Sequence, residues 1–266
     1  MLQTLTSSEF EIVVANNDPV DPVPENFVLP SNCKVIPAPQ PGSYAARNTA
    51  LGHVETTLAA FTDADCIPDE NWLAAAVSLL EDDHQINLVA GRIAMFWEGT
   101  EPTLVERYDS IFFLQQHNYA AAGYAATANL VVRAKVFADV GLFNGALMSG
   151  GDKEWTMRAV ADGHHLEYSP DAIVRHPARQ SLQEITRKVR RISGGHVAKK
   201  RGATRRFILP QFDRLIPAWK ALRKIKNTPG VGTVYAFKLF AIHYYLRLVM
   251  LAEQIRLIRP ISTYQR

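Results

Sequence analysis

Cysteine is scarce in this chain: Cys33 and Cys66 are the only two among 266 residues. That excludes a disulfide framework and fits a reducing compartment. No basic-then-apolar leader opens the sequence at Met1-Leu2-Gln3-Thr4, so secretion is not expected. Acidic residues nearly vanish towards the C-terminus, with only 3 of the 26 Asp and Glu lying beyond Ala178. No charge-free apolar run of membrane-spanning length occurs either, because Lys238, His243 and Arg247 interrupt the stretch Val231 to Leu251. There is no internal repeat. A composition of 47% hydrophobic and 21% charged residues excludes a disordered chain and sets the expectation of a globular protein.

What is present is polarised. Residues 1–178 hold 9 basic and 23 acidic side chains, and residues 179–266 hold 20 basic and 3 acidic ones. These two stretches are the expected domains. The basic one should seek anionic phosphate, or else form a solvated helical cover. No nucleic-acid-binding motif accompanies it, so no nucleic-acid partner is expected. Its aromatic and apolar run from Val231 reads as an interfacial helix or as a packing helix. The first 178 residues alternate β-branched runs with helical patterns, the rhythm of an α/β domain. Strands are expected at Glu11 to Ala15, Lys34 to Ile36, Leu58 to Thr62, Leu88 to Met95, Thr127 to Arg133 and Ile173 to Val174. Helices are expected at Ser43 to Thr57, Asn71 to Leu80, Thr103 to Gln116, Ala134 to Val140 and Lys153 to Asp162. A basic amphipathic helix from Leu182 to Ile192 is expected to end at Gly194-Gly195, ahead of a basic cluster at Lys199 to Arg206.

Several groups could carry chemistry. Asp63 and Asp65 follow the apolar strand that ends at Phe61, and ligands of open α/β sheets bind beyond the carboxyl ends of strands. Two neighbouring carboxylates repel unless a cation lies between them and a phosphate, and oxygen ligands suit Mg²⁺ or Mn²⁺. A solvated acidic turn is the alternative. Gly42 opens a helix whose backbone N–H groups could face an anion, and Arg47 could pair with a phosphate or with one of the aspartates. Gly150-Gly151 precede Asp152 at another helix start, where the carboxylate is either functional or an N-cap. Trp155 either stacks on a flat ligand or fills the core. His176 becomes credible as a metal ligand once the aspartates make a site. Arg190 and Arg191 could clamp a diphosphate or face solvent.

In this order the clusters resemble the family 2 glycosyltransferases of the GT-A fold, over Glu9 to about Gly202. Asp63-Ala64-Asp65 with Pro68 and Trp72 resembles the family's nucleotide-diphosphate and metal motif. Gly42 to Asn48 resembles the helix start before it. Thr127-Ala128-Asn129, Arg133, Val140-Gly141, Phe143 and Gly150-Gly151-Asp152 resemble the acceptor-side segment that ends at the base. The resemblance implies a Rossmann-like mixed sheet flanked by helices, with a basic helical extension after it. It implies inverting transfer from a nucleotide-diphosphate sugar, with Asp152 as base and Glu154 as fallback. Donor contacts would come from Asp63, Asp65, Arg47, Asn17, Arg190 and Arg191, and acceptor contacts from Trp155 and Asn129. Asp65 and His176 would hold Mn²⁺ or Mg²⁺. The acceptor would be a carbohydrate or a lipid-linked glycan in cell-surface polysaccharide or glycolipid assembly. The protein would then sit peripherally on the anionic inner face of the cell membrane. Two departures stand out. Gly151 replaces the family's usual Glu before the base. The sequence also starts near the end of the family's first helix, so the usual first strand, normally internal to the sheet, is not seen. A weakly active or inactive remnant serving as a sugar-nucleotide-binding or scaffold module is the alternative.

Overall fold

The computed structural model describes residues 3–18, 20, 28–203 and 210–258, with the side chains of 196–203 left out. Pro19, Pro22 and Pro24, which read as a proline-rich loop, and the side chains of the Lys199 to Arg206 cluster lie outside that description. In chain order the first elements are β1 (Ile12–Asn16), β2 (Cys33–Pro37), α1 (Ser43–Leu51), β3 (Leu58–Thr62), β4 (Ile67–Pro68), α2 (Trp72–Asp82) and β5 (Ile86–Phe96). Then come α3 (Leu104–Phe112), α4 (Gln116–Ala121), β6 (Asn129–Arg133), α5 (Lys135–Val140), α6 (Gly151–Ala161) and β7 (His165–Pro177). The chain closes with α7 (Leu182–Ala203), a 3₁₀ turn at Phe212–Leu215, α8 (Trp219–Lys226) and α9 (Thr233–Ile258).

Two compact units result: residues up to Phe96 with Leu114–Pro177, and Trp97–Phe113 with everything after Pro177. In the first unit a mixed five-stranded sheet runs β3-β6-β5-β7-β4, and β1 with β2 forms a separate parallel pair. β5 and β7 are parallel, while β6 runs antiparallel to both of its neighbours, β3 and β5. Among the described residues, β1 and β3 each have one edge with no strand partner. Alternation along the central strands builds a core on each face. Leu88, Ala90, Leu130 and Val132 face Tyr44, Phe143 and Trp155, whereas Val89 and Val131 face Trp72, Ala76 and Leu80.

The expected domains run 1–178 and 179–266; within the second unit Trp97–Phe113 clusters with the C-terminal helices. α3 presents Tyr108 and Ile111 to Ile185, Val189, Ile225, Leu239 and Leu246. Asp109, fully buried, accepts from the Arg179 backbone N–H at 3.0 Å and from its guanidinium at 3.1 Å. The helix expected over Thr103 to Gln116 ends at Phe112, where Phe113 is extended and Leu114 takes φ 52°, and α4 begins only at Gln116. Gly194-Gly195 do not end α7, which runs on to Ala203. A Cβ at Gly194 would meet Leu257 of α9 at 3.9 Å, an ordinary contact distance, so the glycine faces α9 without being required there. Among the described residues, α9 is the helix long and apolar enough to cross a membrane by length and composition. Within this unit it is a packing helix, with Ala236, Leu239 and Leu246 buried and His243 against Tyr108 and Phe112.

Candidate active site

The site grows from the start of α1. Gly42 takes φ 109°, a conformation favourable only to glycine, and a Cβ there would press on Met148 Sδ at 3.3 Å. The turn before it is tied by Asn17, whose Nδ2 donates to the Ala38 and Gln40 carbonyls at 2.6 Å each. Asn17 Oδ1 also accepts from the Gly42 N–H at 3.2 Å. Asn17 was expected to contact the donor, but its amide is committed to holding this turn.

Three residues of α1 then reach in different directions. Tyr44 donates its hydroxyl to Asp152 Oδ1 at 3.0 Å. Arg47 pairs with Asp63 at 2.5 Å, and its guanidinium lies 5.7 Å from the Tyr44 ring centroid. Asn48 clasps Phe143 in both directions, donating to its carbonyl at 2.8 Å and accepting from its N–H at 3.1 Å. One helical turn thus joins the aspartates after β3, the carboxylate at the start of α6 and the segment leading to it. The Tyr44 hydroxyl is pushed up to about 12 by burial and then by the Asp152 charge, so it stays a donor. Asp152 Oδ1 also accepts from the Lys153 N–H at 2.8 Å, and this pair of bonds fixes the carboxylate.

Gly151 explains its own identity. A Cβ at that position would lie 2.7 Å from the Tyr44 ring, so the tyrosine occupies the space a larger residue would need. Gly150 before it adopts φ 75°, with open space around it.

Asp63, Asp65, Cys66 and His176 bring one donor atom each to within 4.8 Å of one another. Asp65 is exposed, Asp63 and Cys66 are half-buried, and His176 is buried. His176 Nδ1 donates to the Pro177 carbonyl at 2.7 Å, which leaves Nε2 as the nitrogen available to a metal. Burial, reinforced by Asp63 and Asp65, pushes the Cys66 thiol up to about 12. A divalent cation suits this donor set: two carboxylates supply hard oxygen, and the imidazole tautomer is already that of a ligand.

Two expected acceptor contacts and the fallback base have structural partners of their own. Asn129 was read as an acceptor contact, yet it is fully buried. The register between β5 and β7 slips at Gly91/Arg92, where β7 carries three extra residues between Ser169 and Ile173. Asn129 Nδ2 donates to the Arg92 and Ala172 carbonyls at this irregularity, both at 2.8 Å, and its Oδ1 accepts from Trp72 Nε1 at 2.8 Å. Asn129 is therefore a core polar plug. Trp155, the other expected acceptor contact, is also fully buried, stacked on Phe137 and donating to the Gly141 carbonyl at 2.7 Å. Glu154, the fallback base, holds Arg158 at 3.1 Å, and that arginine braces the Val140 and Leu142 carbonyls. Arg190 and Arg191 belong to the second unit, exposed on α7. The sequence reading gave no separate role to Tyr44, Asn48 or Cys66. For Tyr44 the available signal was Gly151, a small residue where the family places a large one.

Residues 1–141 match the profile of glycosyl transferase family 2. The glycosyltransferase AglE of Haloferax volcanii is 37% identical over 204 residues, which is 73% of this chain and 65% of that protein. The pre-mycofactocin glycosyltransferase of Mycobacterium tuberculosis is 31% identical over 189 residues, covering 66% of this chain and 40% of that protein. The chain thus spans less than two thirds of the length of these relatives. In fold it is similar to the mannosyltransferase PcManGT of Pyrobaculum calidifontis, solved with GDP-mannose and Mn²⁺. The TM-score is 0.57 at 16% identity, over 96% of this chain and 79% of that one. With a mixed sheet flanked by helices and acidic residues at a strand end, the fold is GT-A, and the chain belongs to glycosyl transferase family 2.

Proposed function

We propose that this protein transfers a sugar from a nucleoside-diphosphate donor to a hydroxyl acceptor with inversion at the anomeric carbon. The observation that carries this reading is the double tie of α1: Tyr44 on Asp152 and Arg47 on Asp63, three residues apart. It sets a candidate base and a candidate diphosphate site on either side of one helical turn. Asp152, with Oδ1 held by Tyr44 and the Lys153 N–H, would accept the acceptor's proton on Oδ2 as its oxygen attacks. Asp65, Asp63 and His176 would hold Mn²⁺ or Mg²⁺, which when bound neutralises charge on the departing diphosphate. Arg47 balances Asp63 in its absence.

The acceptor is proposed to be a glycan, free or lipid-linked, met at an anionic membrane surface on the cytoplasmic side. Support for the membrane comes from the second unit, where Phe212, Leu215, Ile216 and Trp219 are all exposed beside Arg214, Lys220 and Arg223. A screen of UDP-, GDP- and dTDP-sugars with Mn²⁺ or Mg²⁺, run with wild type and Asp152→Asn, tests the chemistry. Transfer lost in the variant with donor binding retained is the expected result. Undiminished transfer by Asp152→Asn would remove the base, and no turnover of any donor would remove the reading.

A further inference from the structure

The thiol of Cys66 is a donor that an oxygen-seeking cation does not need. Mg²⁺ is content with carboxylates, water and phosphate, and Mn²⁺ also favours oxygen. Yet the Cys66 sulfur lies in the same cluster as two carboxylates and an imidazole, all within 4.8 Å of one another, and its thiol donates to Asp65 Oδ1 at 3.9 Å. The Cys66 backbone N–H donates to the Asp63 carbonyl at 3.1 Å, so a tight turn after β3 directs the sulfur back toward the carboxylates. Buried His176, with Nδ1 anchored on the Pro177 carbonyl, completes the set from β7. Sulfur, nitrogen and two oxygens from four side chains match the number and types of donor that Zn²⁺ or Co²⁺ takes.

We infer that Cys66 gives this centre a second, thiophilic binding mode, in which Asp63, Asp65, Cys66 and His176 close around Zn²⁺ and leave no position for a diphosphate oxygen. The inference rests on the proposal that these acids and His176 hold a cation for sugar transfer. In the transfer mode the cation is bound through oxygen and imidazole and keeps open positions. In the closed mode the thiol exchanges its proton for the metal, the proton passing to solvent, and all four positions are filled by protein. Zn²⁺ is then a tight inhibitor that competes with Mn²⁺, and the metal supply regulates the enzyme.

Titration of the metal-free full chain with Co²⁺ tests this directly, because a thiolate ligand gives an intense near-ultraviolet charge-transfer band. The band is expected in wild type and in Cys33→Ser and is expected to vanish in Cys66→Ser. Zn²⁺ affinity of Cys66→Ser should fall by at least the ~10-fold that loss of even an outer-shell partner costs, with Mn²⁺ affinity little changed. The cadmium NMR signal of Cd²⁺-loaded wild type, which moves strongly downfield on sulfur ligation, gives the same answer without a variant. Co²⁺ binding without the band, or a band that survives in Cys66→Ser, overturns the inference while leaving a Mn²⁺-dependent transferase intact. If neither Co²⁺ nor Mn²⁺ binds, the inference fails together with the metal part of the proposed function. If Mn²⁺ and Co²⁺ bind as expected but no donor turns over, the transfer reading fails and the inhibitory role with it, while the thiolate-ligated site stands.

Discussion

Tyr44 and Gly151 constrain one another. With a Cβ at 151 only 2.7 Å from the ring, Gly151→Ala must displace Tyr44 and with it the bond to Asp152. The expected loss is about 1–3 kcal/mol in urea denaturation, typical of overpacking. Gly151→Ala combined with Tyr44→Ala should cost less than the two changes added, since the cavity of one accepts the methyl of the other. Asn129 has a comparable grip on the core. Asn129→Ala strands the Trp72 N–H and two carbonyls, and a loss of about 2–4 kcal/mol is expected from three buried groups at 1–3 kcal/mol each, partly relaxed. A Tm within a degree of wild type would contradict the plug described above. The aspartates after β3 were legible because an apolar strand running into two acids is a local pattern. Asn129 was misread because its partners belong to a slipped register of β5 and β7, which no local window contains.

At the scale of elements, α3 depends on a charge it cannot expose. Asp109→Ala should destabilise the second unit by about 3 kcal/mol, the low end for a broken buried pair because Arg179 keeps some contact with solvent. Hydrogen exchange in α3 and α7 should rise together. His243 of α9 provides a pH response. Burial, and then the nearby Arg247 and Lys224, lower it from 6.5 to about 4. The folded form therefore disfavours a proton that the unfolded chain accepts. Its contribution is complete above about pH 6.5 and is lost as pH falls towards 4, on the order of 1–2 kcal/mol after allowance for partial exposure. Urea midpoints at pH 7 and pH 5 should differ in wild type and much less in His243→Asn. Strand β3 and the cores of most helices followed from period and punctuation. The break at Leu114 and the continuation of α7 through Gly194 did not, since one is a backbone kink at an ordinary residue and the other a helix that runs on through two glycines, the residues a local reading takes as a stop.

For the whole molecule, the division of charge is the feature most plainly written in the sequence, and its exception is residues 97–113, which pack with the basic unit through Tyr108 and Ile111. Their helical pattern was readable, but which core would claim them was decided by partners far along the chain. Binding to vesicles rich in anionic lipid is expected to weaken as salt rises, because the basic side chains are screened beyond a Debye length. Replacing Phe212, Ile216 and Trp219 together with serine should weaken it further at every salt concentration, as loss of apolar insertion requires. Salt-independent failure of wild type to sediment with such vesicles would refute the attachment.

Among the described residues, the edges of β1 and β3 that have no strand partner carry a practical consequence. Their sequences, Ile-Val-Val-Ala-Asn and Leu-Ala-Ala-Phe-Thr, hold no lysine, proline or bulge to repel a stranger. Copies of the chain should zip together along them as concentration rises, visible as growing light scattering, and a charged residue at outward-facing Ala60 should keep solutions clear.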